Sequence, residues 1–301
     1  MGSLLDLVGG TPLLDVSNLA GCPGVQVLAK CEGNNPASSV KDRAATGMIT
    51  GAMARGILKP GMRLIEATSG NTGIALAMIA RAVGIDMHLV MPDTLTIERT
   101  QTMRAFGATV HLIDGGMEKA RDWAEEQVRA TAGQPDAFLM LNQFGNPDNP
   151  QAHYESTGPE IWRDTQGTVT HFISAMGTTG TIMGTSRFLK ECQPAIQIIG
   201  CQPTEGSSIP GIRRWPKAYL PTIFEPHRVD RILDIAQKDA EQTARRLARE
   251  AGLFTGISSG GAAWAAFAVA RELAAAGQTG VLVFIACDRG DRYLSSDVFR
   301  S

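Results

Sequence analysis

The sequence predicts an α/β protein built of two doubly wound domains, and three observations lead there. Short apolar runs alternate with longer segments of helical period along the chain, the pattern of parallel strands covered by helices on both faces. One strand–loop–helix unit has an echo: Leu64-Ile65-Glu66-Ala67 runs through a Gly/Ser/Thr loop into a helix, and so does Phe172-Ile173-Ser174-Ala175. Between them Gly145-Asn146-Pro147-Asp148-Asn149-Pro150 interrupts the alternation with turn formers, which puts a domain crossing there.

The elements follow in order. A strand is expected over 25–30, then an Ala-, Met- and Ile-rich helix over 42–55. Strands over 63–67, 87–91, 109–113 and 138–141 alternate with helices over 73–83, 98–106 and 118–132. After the break come strands over 171–175, 197–201 and 281–286, with helices over 182–191, 240–251 and 262–276. The strand segments are short and apolar; the helical ones are long enough to show a 3.6-residue period.

Composition narrows the function. With 301 residues and 44% hydrophobic residues, the chain can bury the core of one large or two modest domains. A net charge of −2 and no basic patch with interleaved aromatics argue against nucleic acid. No uninterrupted apolar span and no basic-then-apolar start point to a membrane or a signal peptide, so a cytoplasmic address is the default. The 5 cysteines (Cys22, Cys31, Cys192, Cys201, Cys287) are odd in number and scattered, against a disulfide framework or a structural zinc. The 5 histidines are scattered too, and no metal site is expected; His88, His111 and His171 lie in strand-like runs and read as core or edge residues.

The chemistry concentrates in four short words. Ser38-Ser39-Val40-Lys41-Asp42-Arg43-Ala44 puts a lysine at the first turn of an apolar helix, where the helix dipole favours the free amine that attacks an aldehyde. Read alone, Lys41 is equally an ordinary surface lysine beside Asp42 and Arg43. Three Gly/Ser/Thr loops each open a helix: Thr68-Ser69-Gly70-Asn71-Thr72, Gly177-Thr178-Thr179-Gly180-Thr181 and Gly256-Ile257-Ser258-Ser259-Gly260. Backbone N–H groups at a helix start cradle anions, and small residues allow close approach. The same loops also read as plain turns or N-caps. The 177–181 loop lacks the lysine of a nucleotide P-loop and the Gly-x-Gly-x-x-Gly spacing of a dinucleotide site, which counts against a nicotinamide oxidoreductase. One amine and several anion cradles suit pyridoxal 5'-phosphate with an amino-acid substrate. By spacing, Ser258 and Ser259 are interchangeable candidates for one role, and either serves as a cap.

Longer words carry a resemblance. Gly33-Asn34-Asn35-Pro36-Ala37, Ser39-Val40-Lys41-Asp42-Arg43, Glu66-Ala67-Thr68-Ser69-Gly70-Asn71-Thr72-Gly73 and Met176-Gly177-Thr178-Thr179-Gly180-Thr181 resemble the cysteine synthases (O-acetylserine sulfhydrylases). Pro210-Gly211-Ile212-Arg213-Arg214-Trp215-Pro216 and Cys287-Asp288-Arg289-Gly290-Asp291-Arg292-Tyr293-Leu294-Ser295 resemble the B-type members of that family. The likeness runs from Val8-Gly9-Gly10-Thr11-Pro12 nearly to the end.

The resemblance implies a tryptophan-synthase-β-like fold (fold type II of the pyridoxal phosphate enzymes), with two α/β domains facing a cofactor cleft. It implies a smaller, mobile N-terminal domain of residues 1–12 and 35–145, and a C-terminal domain of 13–34 and 146–301. Lys41 would hold the cofactor and act as general base. Gly177, Thr178, Thr179, Gly180 and Thr181 would bind its phosphate, Asn71 its phenolic oxygen and Ser258 its pyridine nitrogen. Thr68, Ser69, Gly70, Thr72 and Gln143 would take the substrate carboxylate. Arg213, or less so Arg214, would face an anionic second substrate, and Cys287 marks the subtype without acting as a nucleophile. The implied reaction is β-replacement through an α-aminoacrylate: O-acetyl-L-serine plus sulfide gives L-cysteine and acetate, or thiosulfate gives S-sulfocysteine. A homodimer is implied as well. An O-phosphoserine-dependent synthase and a non-catalytic regulatory homologue are the alternatives; the second would be favoured by loss of Lys41 or Asn71, and both are present.

Overall fold

The computed structural model describes residues 2–68, 70–93 and 97–299. They form two compact units, Met1–Val8 with Lys41–Asn149, and Gly9–Val40 with Pro150–Ser301. The crossings fall after residues 8, 40 and 149, where the sequence division puts them after 12, 34 and 145.

In chain order the elements are β1 (Leu13–Asp15), α1 (Ser17–Ala20), β2 (Val25–Cys31), α2 (Lys41–Ala54), β3 (Arg63–Ala67), α3 (Asn71–Ala82) and β4 (Met87–Pro92). Then come α4 (Ile97–Ala105), β5 (Thr109–Ile113), α5 (Met117–Ala130), β6 (Phe138–Leu139), α6 (Asp148–Ala152), a π-helical turn (His153–Thr157) and α7 (Gly158–Asp164). The rest are β7 (His171–Ala175), α8 (Gly180–Cys192), β8 (Gln197–Pro203), β9 (Arg231–Ile235), α9 (Gln237–Ala251), α10 (Ile257–Ala275) and β10 (Gly280–Ala286).

In the first unit a four-stranded parallel sheet has the order β5-β4-β3-β6. Side chains alternate across it: Ile65 and Val90 pack with Ala120 and Ala124 of α5, while Leu64 and Leu89, one residue away, are buried at the opposite face. α3 packs on α2, and its residues from Thr72 to Ala80 are all buried. A helix apolar on every side has to be enclosed, which explains why Gly73-Ile74-Ala75-Leu76-Ala77 carries no charge.

The second unit holds a six-stranded sheet of order β1-β2-β10-β7-β8-β9, parallel except for β1 at its edge. Leu282 and Phe284 of β10 pack towards Ala262, Ala266 and Phe267 of α10. Val283 and Ile285, between them, pack towards Ile182, Met183 and Leu189 of α8. At Gly184 α8 approaches the π-helical turn so closely that a Cβ would overlap the Pro150 carbonyl oxygen and the His153 side chain. Lys30, fully buried on β2, forms a 2.7 Å ion pair with Glu160 of α7 and donates to the Thr11 carbonyl, tying the segment before β1 to the sheet. Loss of either partner would strand a buried charge, at a cost of about 3–5 kcal/mol.

Several elements depart from the sequence expectation. β1 and β9 are edge strands, three and five residues long, without an apolar run of their own. The turn-rich 145–150 word enters α6, and α7 follows directly on the π-helical turn, with Pro159 near its start.

Candidate active site

The first unit holds Lys41 and the loop before α3. Lys41 is the first residue of α2 and half-buried; Asp42 and Arg43 beside it are fully buried. The helix is held by Ala44, Ala45, Met48, Ile49 and Ala52, which fixes where the amine starts.

Gly70 caps α3 in an extended conformation, and no side chain bonds to the helix N-terminus. Thr68 is therefore not the cap; its own N–H donates to the Val90 carbonyl at 3.0 Å. The first-turn N–H groups keep their capacity to meet an anion. Asn71 begins the helix, and Thr72, buried, donates from its hydroxyl to Gln143 Oε1 at 2.8 Å. Thr72 and Gln143 thus come together across 71 residues of chain. Ser69 lies outside the described residues.

The second unit contributes the loop between β7 and α8. Thr179 is its N-cap, with φ 71° in the left-handed region, and its own hydroxyl does not cap the helix. The Thr179 hydroxyl is buried without a hydrogen-bond partner. Gly180 donates its N–H to Thr178 Oγ1 at 3.3 Å, and Thr181 Oγ1 lies 3.3 Å from His153 Nε2. A Cβ on Gly177 would come within 2.8 Å of the Gly211 carbonyl oxygen, so only glycine fits. Trp215 Nε1 donates to the Gly177 carbonyl at 2.8 Å and braces the loop. An unpartnered buried hydroxyl at a helix start fits a phosphate group.

Ser258 and Ser259 open α10 after the Gly256 cap, and both are buried. Their hydroxyls differ. Ser259 Oγ accepts the Cys287 N–H at 2.8 Å, whereas Ser258 Oγ has no hydrogen-bond partner among the described residues. Cys287 sits half-buried just after β10. Arg213 is exposed, with its guanidinium 5.3 Å from the Trp215 ring centre, and no carboxylate pairs with it among the described residues. Arg214 is committed elsewhere: it pairs with Asp234 at 2.5 Å and donates to the Pro203 carbonyl.

Two features escaped the sequence reading. Glu66 is a buried carboxyl beneath the first anion loop, pushed up to about 7 by burial; a lone acid inside the apolar run of β3 was the available signal. His153 touches the 177–181 loop from a π-helical turn that periodicity does not reveal. The histidines of strand-like runs do meet: His88 Nδ1 lies 2.9 Å from His111 Nε2.

Residues 4–288 match the family described as "Pyridoxal-phosphate dependent enzyme". The chain is 56% identical over 299 residues to cysteine synthase B of Pseudomonas aeruginosa, covering 99% of this chain and 97% of that one. To cysteine synthase B of Escherichia coli K12 it is 55% identical over 301 residues, covering 99% and 96%. A solved cysteine synthase structure from Entamoeba histolytica superposes with a TM-score of 0.93 at 37% identity, covering 100% of this chain and 91% of that one. The chain belongs to the pyridoxal-phosphate dependent enzymes and, within them, to the cysteine synthase family.

Proposed function

We propose that this protein makes L-cysteine from O-acetyl-L-serine and sulfide by β-replacement, with pyridoxal phosphate as cofactor and acetate as leaving group. The relatives named cysteine synthase B support the product, and a similar solved structure named O-acetyl serine sulfhydrylase supports the substrates. The structural observation that supports a phosphate-bearing cofactor is Thr179, a buried, unpartnered hydroxyl at the start of α8. Lys41 holds the cofactor covalently through Nζ. Gly177, Thr178, Thr179, Gly180 and Thr181 take its phosphate, Asn71 its phenolic oxygen, and Ser258 Oγ its ring nitrogen. Bound there, pyridoxal phosphate supplies the electron sink for charge developing at the substrate Cα.

The residues of the chain do the rest. The substrate carboxylate lies on Thr68, Ser69, Gly70 and Thr72, with Gln143 beside it; Thr72 occupies Gln143 Oε1 and so leaves Nε2 to donate. Lys41 Nζ would take the Cα proton as acetate leaves and return it after sulfur attack. A neutral hydroxyl at the ring nitrogen does not hold it protonated, which favours elimination over transamination.

Arg213, unpaired and stacked on Trp215, supports an anionic sulfur donor, thiosulfate giving S-sulfocysteine. The same cation would serve the phosphate of O-phosphoserine. The protein works in the cytoplasm, where its free cysteines persist, and as a homodimer, which sedimentation at twice the chain mass would establish.

The test is spectroscopic. With pyridoxal phosphate the protein should be yellow; O-acetylserine should shift the band to longer wavelength, and sulfide or thiosulfate should restore it. Response to O-phosphoserine alone would change the first substrate. Restoration by sulfide and not by thiosulfate would remove the Arg213 role. A colourless protein would overturn the reading.

A further inference from the structure

Glu66 is a carboxyl in the middle of a buried parallel strand, with 4% of its surface exposed. Its Oε2 accepts a backbone N–H, and the amides of Leu141, Asn142 and Gln143 all favour its charged form. The Asn142 N–H meets Oε2 at 3.0 Å. Asn142 has φ 54°, so the chain reverses there and turns neighbouring N–H groups towards one anion. The next residue is Gln143, which accepts the Thr72 hydroxyl at Oε1 and whose own carbonyl accepts from Asn149 Nδ2 at 2.7 Å. The strand that carries Glu66 runs directly into the loop ending at Thr72. One carboxylate thereby links both sides of the Thr72–Gln143 pair.

We propose that Glu66 is a positioning residue for recognition of the substrate carboxylate: it clamps the 141–143 backbone so that the Gln143 amide is presented with Nε2 as donor. The inference rests on the proposed role of Gln143 as a carboxylate ligand. An ionised carboxylate accepts from several N–H groups at once. A glutamine at this position has one acceptor oxygen and would set its own NH2 against amide donors.

Protonation of Glu66 has a related effect, because one oxygen then carries a hydrogen. Burial raises its pKa to about 7, against the pull of the three amides. Of the elements packed on β3, β4 carries His88 and α5 carries Arg121, paired with Glu125 at 2.8 Å. Arg121 acts on Glu66 and favours the carboxylate.

The experiment is a double-mutant cycle on the pyridoxal phosphate-loaded protein, with Glu66→Gln, Gln143→Ala and the double variant. The readouts are KM and kcat for O-acetylserine, and the equilibrium affinity for L-alanine, which has the α-carboxylate and no leaving group. Glu66→Gln should raise KM and weaken L-alanine binding by roughly ten- to a hundred-fold, the scale of a hydrogen bond to a charged group, with a smaller change in kcat. In the Gln143→Ala background the same change should have little further effect. Hydrogen exchange at Asn142 and Gln143 should quicken. In the parent KM should rise below about pH 7, a limb that Glu66→Gln lacks. If Glu66→Gln does not accumulate folded, Glu66→Asp carries the same comparison.

Additive effects, or an unchanged KM in Glu66→Gln while Gln143→Ala is impaired, would overturn the inference and leave the carboxylate site standing. An unchanged KM in Gln143→Ala would overturn both.

Discussion

Ser259 Oγ accepts the backbone N–H of Cys287 at 2.8 Å, joining the start of α10 to the end of β10. Its neighbour Ser258 is buried as well, with its hydroxyl uncommitted among the described residues. The two serines, interchangeable by spacing, therefore separate by environment. Ser259→Ala should lower stability by about 1–3 kcal/mol, because a buried N–H loses its acceptor. Ser258→Ala should leave the melting temperature nearly unchanged and reduce turnover. Thermal melts and steady-state rates on the two variants check this pairing.

Lys41→Ala should fold as the parent does, since the buried contacts of α2 begin beyond the lysine side chain. It should form no covalent cofactor adduct, as read by borohydride reduction and mass spectrometry. Loss of the general base should lower turnover by roughly 10² to 10⁴-fold, and loss of the covalent tether adds to that. A variant that still traps cofactor at another lysine would move the site.

Thr179 holds a left-handed backbone conformation that a β-branched residue adopts only under strain. Relief of that strain is worth about 1–3 kcal/mol, and glycine loses about 0.5–1 kcal/mol through chain entropy. Thr179→Gly should make the cofactor-free protein more stable by about 1 kcal/mol. The same change removes the buried hydroxyl, so the cofactor should dissociate more readily. Opposite shifts in apo-protein melting temperature and cofactor affinity are the expected signature.

The His88–His111 pair should make stability depend on pH. The rings stack at 5.2 Å, Trp123 covers His111, and Asp86 approaches His88 Nε2 at 3.1 Å. Burial first, and His88 second, lower the pKa of His111 below 6.5. The unfolded chain takes up that proton at about 6.5, the folded one only further down, so stability is full above 6.5 and falls as pH drops through it. His171 shifts in the same direction through burial, and Glu66, raised to about 7, works in the opposite sense between 4.5 and 7. Comparison with His111→Gln isolates this pair: the variant's melting temperature should decline less between pH 7 and 5.

Much of this was legible in local patterns. β3 and β7 coincide with the expected 63–67 and 171–175, because a strand buried on both faces is largely apolar and so announces itself; β5, at a sheet edge, coincides with 109–113 through its own apolar residues Val110, Leu112 and Ile113. Edge strands β1 and β9 draw their order from the partner they pair with, and nothing in their own residues requires it. The helix opening at α6 was hidden for a similar reason, since Pro147 and Pro150 read as breakers until the residues around them supply hydrogen-bond partners.

The site divides along the same line. Lysine at a helix start and Gly/Ser/Thr loops before helices are short-range chemistry, visible in consecutive residues such as Lys41 or Gly177-Thr178-Thr179-Gly180-Thr181. Which serine is free, which arginine is free and what Glu66 holds depend on partners far along the chain: Cys287 for Ser259, Asp234 for Arg214, Asn142 for Glu66. Hydrogen bonds and ion pairs act over about 3 Å of space whatever the sequence separation, so the folded arrangement assigned those roles.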